Sequence, residues 1–209
     1  MPKDPAGVSD AVCGVVLAGG QSRRMGANKA LMPFKGKTLI AYATDVLSSL
    51  FSEVVIVTDA RSHSENDYAC FSCPVLCDRT AGIGPIGGIE TALRAFPGKG
   101  IFVAAADMPF LKAPVIKAML AHTAGCDWVV PELAGRLHPL HAFYGPDCLP
   151  AITAAIRSKS FALHRLVLRL RTCFFPEKTF RSLDPDLRSL FNINTPETFA
   201  QAETLPESI

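Results

Sequence analysis

No stretch of this 209-residue chain is long and apolar enough to form a membrane helix. The longest uncharged apolar runs, Ala11 to Ala18 and Ile101 to Ala106, fall far short of the ~20 residues that a bilayer requires. Charge of one sign is also lacking, since 21 basic residues against 19 acidic ones leave a net +2. Such a balance makes no global field that gathers nucleic acid or anionic lipid, so neither partner is expected and any polyanion must meet a local patch. The opening MPKDPAGVSD lacks the basic start and apolar stretch of a signal peptide, and residues 1–10 read as a short disordered leader. Seven cysteines, an odd number, make no secreted disulfide framework, so reduced thiols and a cytoplasmic location are expected. No repeat, low-complexity tract or linker divides residues 11–209, which are expected to form one domain.

What is present is apolar: 49% of residues are hydrophobic and 19% charged, which excludes a disordered chain or a coiled coil. At this length folding removes roughly 70% of the unfolded chain's surface, enough for a core without a staple. Short β-rich runs at 13–17, 54–57, 75–77, 101–105, 128–130 and 141–144 alternate with helical periodicity at 39–50, 86–96 and 114–122. Further helical stretches at 148–157 and 161–170 precede a strand-like 173–175 and a last helix opened by Thr195-Pro196-Glu197, with Thr195 as N-cap. The 161–170 stripe reads as core packing. This order predicts a three-layer α/β/α domain around a mostly parallel central sheet.

In such a sheet ligands gather outside the carboxyl ends of the strands. Four successive strand ends carry polar or glycine-rich residues: LAGGQSRRMGANK, Thr58-Asp59, Asp78 and Asp107-Met108-Pro109-Phe110. The first of these, Leu17 to Lys29, passes Gly19-Gly20 and then Arg23, Arg24 and Lys29. Glycines let backbone N–H groups converge on an anion, and the cations can neutralise a triphosphate. It is not a Walker A loop, because Gly26 is followed by Ala27. Gly82, Gly84 and Gly87 spell GxGxxG, but four residues part them from the strand and Pro85 sits inside the turn, which weighs against a dinucleotide fingerprint. They read instead as a glycine loop passing close to a nucleotide before a helix begins near Ile86. Asp107, placed by a buried strand, is suited to hold Mg²⁺, which takes one or two carboxylates plus phosphate oxygens. Cys70, Cys73 and Cys77 have a metal-like spacing without a fourth ligand nearby and read as structural.

LAGGxSxRMGxxK after the first strand, Asp78 before GPIGGIETAL, DMPF after a later strand and NINTPE near the end together resemble the molybdenum cofactor guanylyltransferases. The likeness runs from about Val12 to Phe199. It implies a nucleotide-diphospho-sugar transferase-like fold, and GTP and molybdopterin as substrates. It also implies transient contact with molybdoenzyme maturation proteins. By the same resemblance Leu17, Ala18 and Gly19 contact the guanine nucleotide, with Gly20 beside them, and Lys29 meets its phosphates. Asp78 lies on the GTP site, Asp107 binds Mg²⁺, and Asn192 and Asn194 lie near the metal. Arg136 and His138 resemble a segment facing the acceptor, with His141 in the same run. Asn28 stands where relatives usually carry aspartate, and a late basic run is represented by Arg157, Lys159 and Arg165.

Nucleotidyl transfer rests on positioning and charge stabilisation, so no covalent nucleophile is needed, with Arg24 and Lys29 offsetting charge on the leaving pyrophosphate. Guanine is expected to be read by a carboxylate at a strand end, Asp78 first and Asp59 second, with Gly84 in the adjoining loop. Cytidylyl or other nucleotidyl transfer to a related phosphate acceptor, or a non-catalytic nucleotide-binding accessory role in molybdoenzyme maturation, are the alternatives that the residues leave open.

Overall fold

A strand with no polar alternation needs cover on both faces, and β1 (Val12–Leu17) is buried at all six positions. The structure, a computed structural model, describes residues 8–19, 28–59, 65–80 and 82–206. Residues 1–7 of the expected leader lie outside them. Its end is helical: one turn, α1 (Val8–Ala11), runs straight into β1 and is tied down where Ser52 Oγ donates to Asp10 Oδ1 at 3.2 Å. A small hairpin, β2 (Pro33–Phe34) and β3 (Lys37–Thr38), leads into α2 (Leu39–Ser48) and β4 (Val54–Thr58). There follow β5 (Val75–Cys77), α3 (Pro85–Ala95), β6 (Gly100–Ala105) and α4 (Ala113–Leu120). Next are β7 (Trp128–Leu133), β8 (Arg136–Leu137), β9 (His141–Tyr144) and α5 (Cys148–Arg157). The chain closes with β10 (Thr172–Pro176), α6 (Glu177–Leu183) and α7 (Pro196–Thr204).

The main sheet has the order β10-β7-β9-β6-β1-β4-β5, with β8 on the end of β7. β1 is parallel to both β4 and β6, with Val16 facing Ile56 on one side and Ala104 on the other. β9 alone among the long strands of this path runs against its neighbours, pairing antiparallel with β6 and with β7. The pleat divides β1 between two cores. Val12 and Val16 pack with α2 and α4, through Ile40, Ala43, Leu47, Val115 and Ile116. Cys13, Val15 and Leu17 pack with α3 and α5, through Ile86, Ile89, Leu93 and Ile152. The result is the expected three-layer α/β/α arrangement, in which each fully buried Leu, Ile or Val contributes roughly 1.5–3 kcal/mol. A third cluster, with Phe34, Leu39, Phe110, Ile193 and Ala202, fastens α7 under the hairpin.

Three expectations are corrected. The 161–170 stretch is no α-helix: Leu163–Leu168 wind as a 3-10 turn, in which Leu163 and Leu166, three residues apart, share the buried side. Leu168 is 89% exposed and Phe161 37%, so only half of that stripe is core. The thiols are not all reduced, for Cys126 and Cys173 form a disulfide with Cα atoms 5.8 Å apart. Parallel pairing of β10 with β7, Cys173 opposite Val129, carries Cys173 to the residues just before β7. Closing a loop of that length, 47 residues in sequence separation, removes about 4 kcal/mol of unfolded-chain entropy in the loop-closure model.

Candidate active site

Because β1, β4, β5 and β6 are parallel, their carboxyl ends lie side by side. The hydrogen-bond ladder continues past these ends and fixes the residues that follow. Ala18 N donates to Val57 O (2.8 Å), Asp78 N to Thr58 O (2.8 Å) and Ala106 N to Leu17 O (3.0 Å). The strand ends named from the sequence therefore share one edge, and two constellations lie along it.

The first is a cavity of about 240 Å³ lined by Leu17, Gly19, Asp59, Asp78, Gly84 and Gly88. Asp78 Oδ1 is buried in it with no hydrogen-bond partner among the described residues. Burial, with the charge of Asp59 added, pushes the Asp78 carboxyl up to about 7. Its backbone is held firmly, since the next amide, Arg79 N, donates to Thr91 Oγ1 at 3.1 Å. Gly84 caps α3 with φ +79°, a left-handed conformation that a side chain would strain although nothing crowds it. Gly88 is glycine for the opposite reason: a Cβ there would lie 2.8 Å from Leu17 Cδ2 and 3.2 Å from Asp78 Oδ1. Sequence reading quoted GPIGGIETAL but gave Gly88 and Thr91 no role of their own, although the ~1 kcal/mol cost of glycine inside a helix is itself a signal of close approach.

The second constellation joins residues far apart in the chain. Lys29 Nζ lies 2.7 Å from Asp107 Oδ2 and 2.8 Å from Asn194 Oδ1, with the lysine and aspartate side chains only 13% and 22% exposed. Lys29 opens a 3-10 turn capped by Asn28, whose Oδ1 accepts from Ala30 N at 3.1 Å and whose Nδ2 donates to the Tyr68 hydroxyl at 3.0 Å. Asn28 is thus a cap and a tie. Asp107 is carried by β6, and its carbonyl accepts from Ile193 N at 3.0 Å, which brings the NINT segment alongside. Asn194 is then fixed by α7: its amide donates to Thr198 Oγ1 at 2.9 Å, within the capping box of Thr195 and Thr198. Asn192 is exposed in the same segment.

The donor set suits a hard divalent cation, because Asp107 and Asn194 offer carboxylate and amide oxygens and a cationic ammonium already sits between them. Gly20 and Arg24 lie outside the described residues, as does the rest of segment 20–27.

Arg136 and His138 also reach the carboxyl edge, at the end of β7, but β9 separates that strand from β6. Arg136 is exposed, and His138, whose amide donates to Pro131 O at 3.0 Å, is held below the usual histidine range by burial and by Arg136. His141 is wholly buried between the rings of Phe102 and Phe180, centroids 5.3 and 5.8 Å away, and burial pushes it down to about 3. It packs as a neutral aromatic ring.

Residues 14–172 match the MobA-like NTP transferase domain. A molybdenum cofactor guanylyltransferase from Desulfosudis oleivorans is 35% identical over 93% of this chain and 95% of its own length. One from Syntrophotalea carbinolica is 29% identical over 88% and 87%. Among solved structures, the molybdopterin-guanine dinucleotide biosynthesis protein A of Archaeoglobus fulgidus superposes with a TM-score of 0.80 at 32% identity, over 91% of this chain and 96% of that one. A parallel sheet whose ends gather a lysine, two aspartates and an asparagine, in a chain with these relatives, is that of a nucleotidyltransferase, and the protein belongs to the MobA-like family of molybdenum cofactor guanylyltransferases.

Proposed function

We propose that the protein transfers GMP from GTP to the terminal phosphate of molybdopterin, releasing pyrophosphate, with Mg²⁺ as its metal. One observation carries this reading: a cavity with an unanswered buried carboxylate lies on the same sheet edge as the Lys29–Asp107–Asn194 set. Guanine presents an N1–H donor beside an N2 amino donor, and Asp78 can accept both once ionised. Adenine has no such pair. Asp59 stands second to Asp78, while Leu17, Ala18 and Gly19 supply backbone and Gly84 lets the loop approach. Lys29, together with Arg24 and Gly20 of the preceding loop, meets the phosphates.

An oxygen of the acceptor's terminal phosphate attacks the α-phosphorus, and the bond to the β-phosphate oxygen breaks as pyrophosphate leaves. That phosphate is already ionised at neutral pH, so no strong general base is required. Mg²⁺ on Asp107 would screen the phosphate oxygens. Arg136 and His138 would face the acceptor, and Asn192 would support the metal side. A cytoplasmic location and transient contact with maturation proteins accompany this role. The test incubates the protein with molybdopterin and each labelled nucleoside triphosphate in turn. GTP-dependent formation of the dinucleotide with pyrophosphate release is expected. Preference for CTP, or binding without pyrophosphate, overturns the assignment.

A further inference from the structure

We propose that Lys29 is an internal counter-cation that holds the metal position in the nucleotide-free protein, so that a divalent cation enters only when triphosphate draws the lysine away. The inference rests on the reading of Asp107 and Asn194 as oxygen ligands. Lys29 Nζ occupies both oxygens at once, at 2.7 and 2.8 Å. An ion bound to Asp107 Oδ2 at the ~2.1 Å of a Mg–O bond could lie no farther than about 5 Å from that ammonium. At such a distance two cations repel strongly outside bulk water, and one must leave.

The contact is built into the fold at both ends. Asn28 caps the turn that carries Lys29 and is itself tied to Tyr68, while the Ile193 amide pins the Asp107 carbonyl. Exposures of 13% and 22% shield the pair from the solvent screening that weakens surface ion pairs. A triphosphate offers the ammonium a denser negative charge than one carboxylate. It frees Asp107 and Asn194 as it takes the lysine. Nucleotide then raises metal affinity, and by linkage metal raises nucleotide affinity by the same factor.

The test measures Mn²⁺ binding to nucleotide-free protein by electron paramagnetic resonance of the unbound ion. Lys29→Met is expected to bind Mn²⁺ at least ten times more tightly than the wild type. The double variant Lys29→Met/Asp107→Asn is expected to lose that gain. If Lys29→Met binds no more tightly, the counter-cation role falls while the proposed activity stands on its own assay. If the double variant keeps the gain, Asp107 is not the ligand and the inference falls with that reading. Lys29→Gln, which retains a donor for Asp107, replaces Lys29→Met should thermal melting show the latter unfolded.

Discussion

Asp78 and Asp107 each follow a parallel strand on one edge of one sheet, Asp78 after the half-buried outermost strand β5 and Asp107 after the fully buried β6, and their surroundings are opposite. Asp107 is answered by the Lys29 ammonium, which also donates to Asn194 Oδ1. Asp78 keeps a buried oxygen with no donor among the described residues and has a second carboxylate, Asp59, close enough to raise its pKa. A paired carboxylate is already poised to hold a cation. An unanswered one is a deficit that costs ~1–3 kcal/mol until a donor arrives, and that penalty becomes selectivity when the donor belongs to a ligand. Two identical side chains thereby acquire different environments from their neighbours alone, which is what the proposed roles require.

The sharpest way to break this contrast is to remove Asp107, the proposed cation ligand. Asp107→Ala should lower turnover by at least ~10²-fold, the scale of losing one preorganised charge-stabilising group, with thermal melting close to wild type. Turnover within a few-fold at saturating metal would deny Asp107 that role.

Asp78→Asn keeps the size of the side chain but turns one acceptor into a donor facing a donor. The GTP KM should rise, and preference for GTP over ATP should narrow by about tenfold or more. Unchanged discrimination would move base reading elsewhere on the edge.

Acidity offers a subtler probe of the same residue. With its pKa raised to about 7, folded Asp78 keeps a proton that the unfolded chain releases near the ordinary carboxylate value. Its contribution to stability is therefore full below about pH 4 and falls as pH climbs to 7. On the proposed base reading GTP affinity should run the other way, since the ionised form would accept the base. It should rise by up to about tenfold from pH 6 to pH 8, following the ionised fraction. Calorimetric titration of wild type against Asp78→Asn would reveal it, because the variant should lack that slope.

The smallest effect is expected from Gly88→Ala. The new methyl meets Leu17 Cδ2 at 2.8 Å, but that atom is the end of a flexible side chain, so the cost should sit near the lower limit of ~1 kcal/mol for overpacking. A rise of a few-fold in GTP KM, with turnover retained, would locate the damage in the cavity beside Asp78. An equal fall in turnover would blur the division between the two carboxylates.

Much of this edge is legible before folding. Apolar runs without alternation mark β1 and β6 as covered strands, and a polar residue after such a run has one place to go. The Thr195-Pro196 signal marks the start of α7 correctly because a cap is a local contract between neighbours in sequence. What stays hidden depends on pairing across distance. The reversal of β9, the approach of Asn194 to Lys29 across 165 positions, and the Cys126–Cys173 bridge follow from which strands become neighbours. The packing of His141 between two phenyl rings is of the same kind: the residue alone looks polar, and only the register of β9 against β6 reveals its surroundings.

That late arrival of Asn194 bears on how the protein is made. Lys29 and Asp107 leave the ribosome well before the NINT segment, and at ~5–20 residues per second the 87 positions from 107 to 194 take on the order of 4–17 s to synthesise. During that interval β1, β4 and β6 can assemble while Asp107 still lacks the backbone bond from Ile193 and Lys29 still lacks its contact with Asn194. A nascent chain of this length holds half a site. On the proposed reading, the Lys29–Asp107 pair gains its Asn194 contact only after the NINT segment emerges, and a product truncated before Asn194 lacks it.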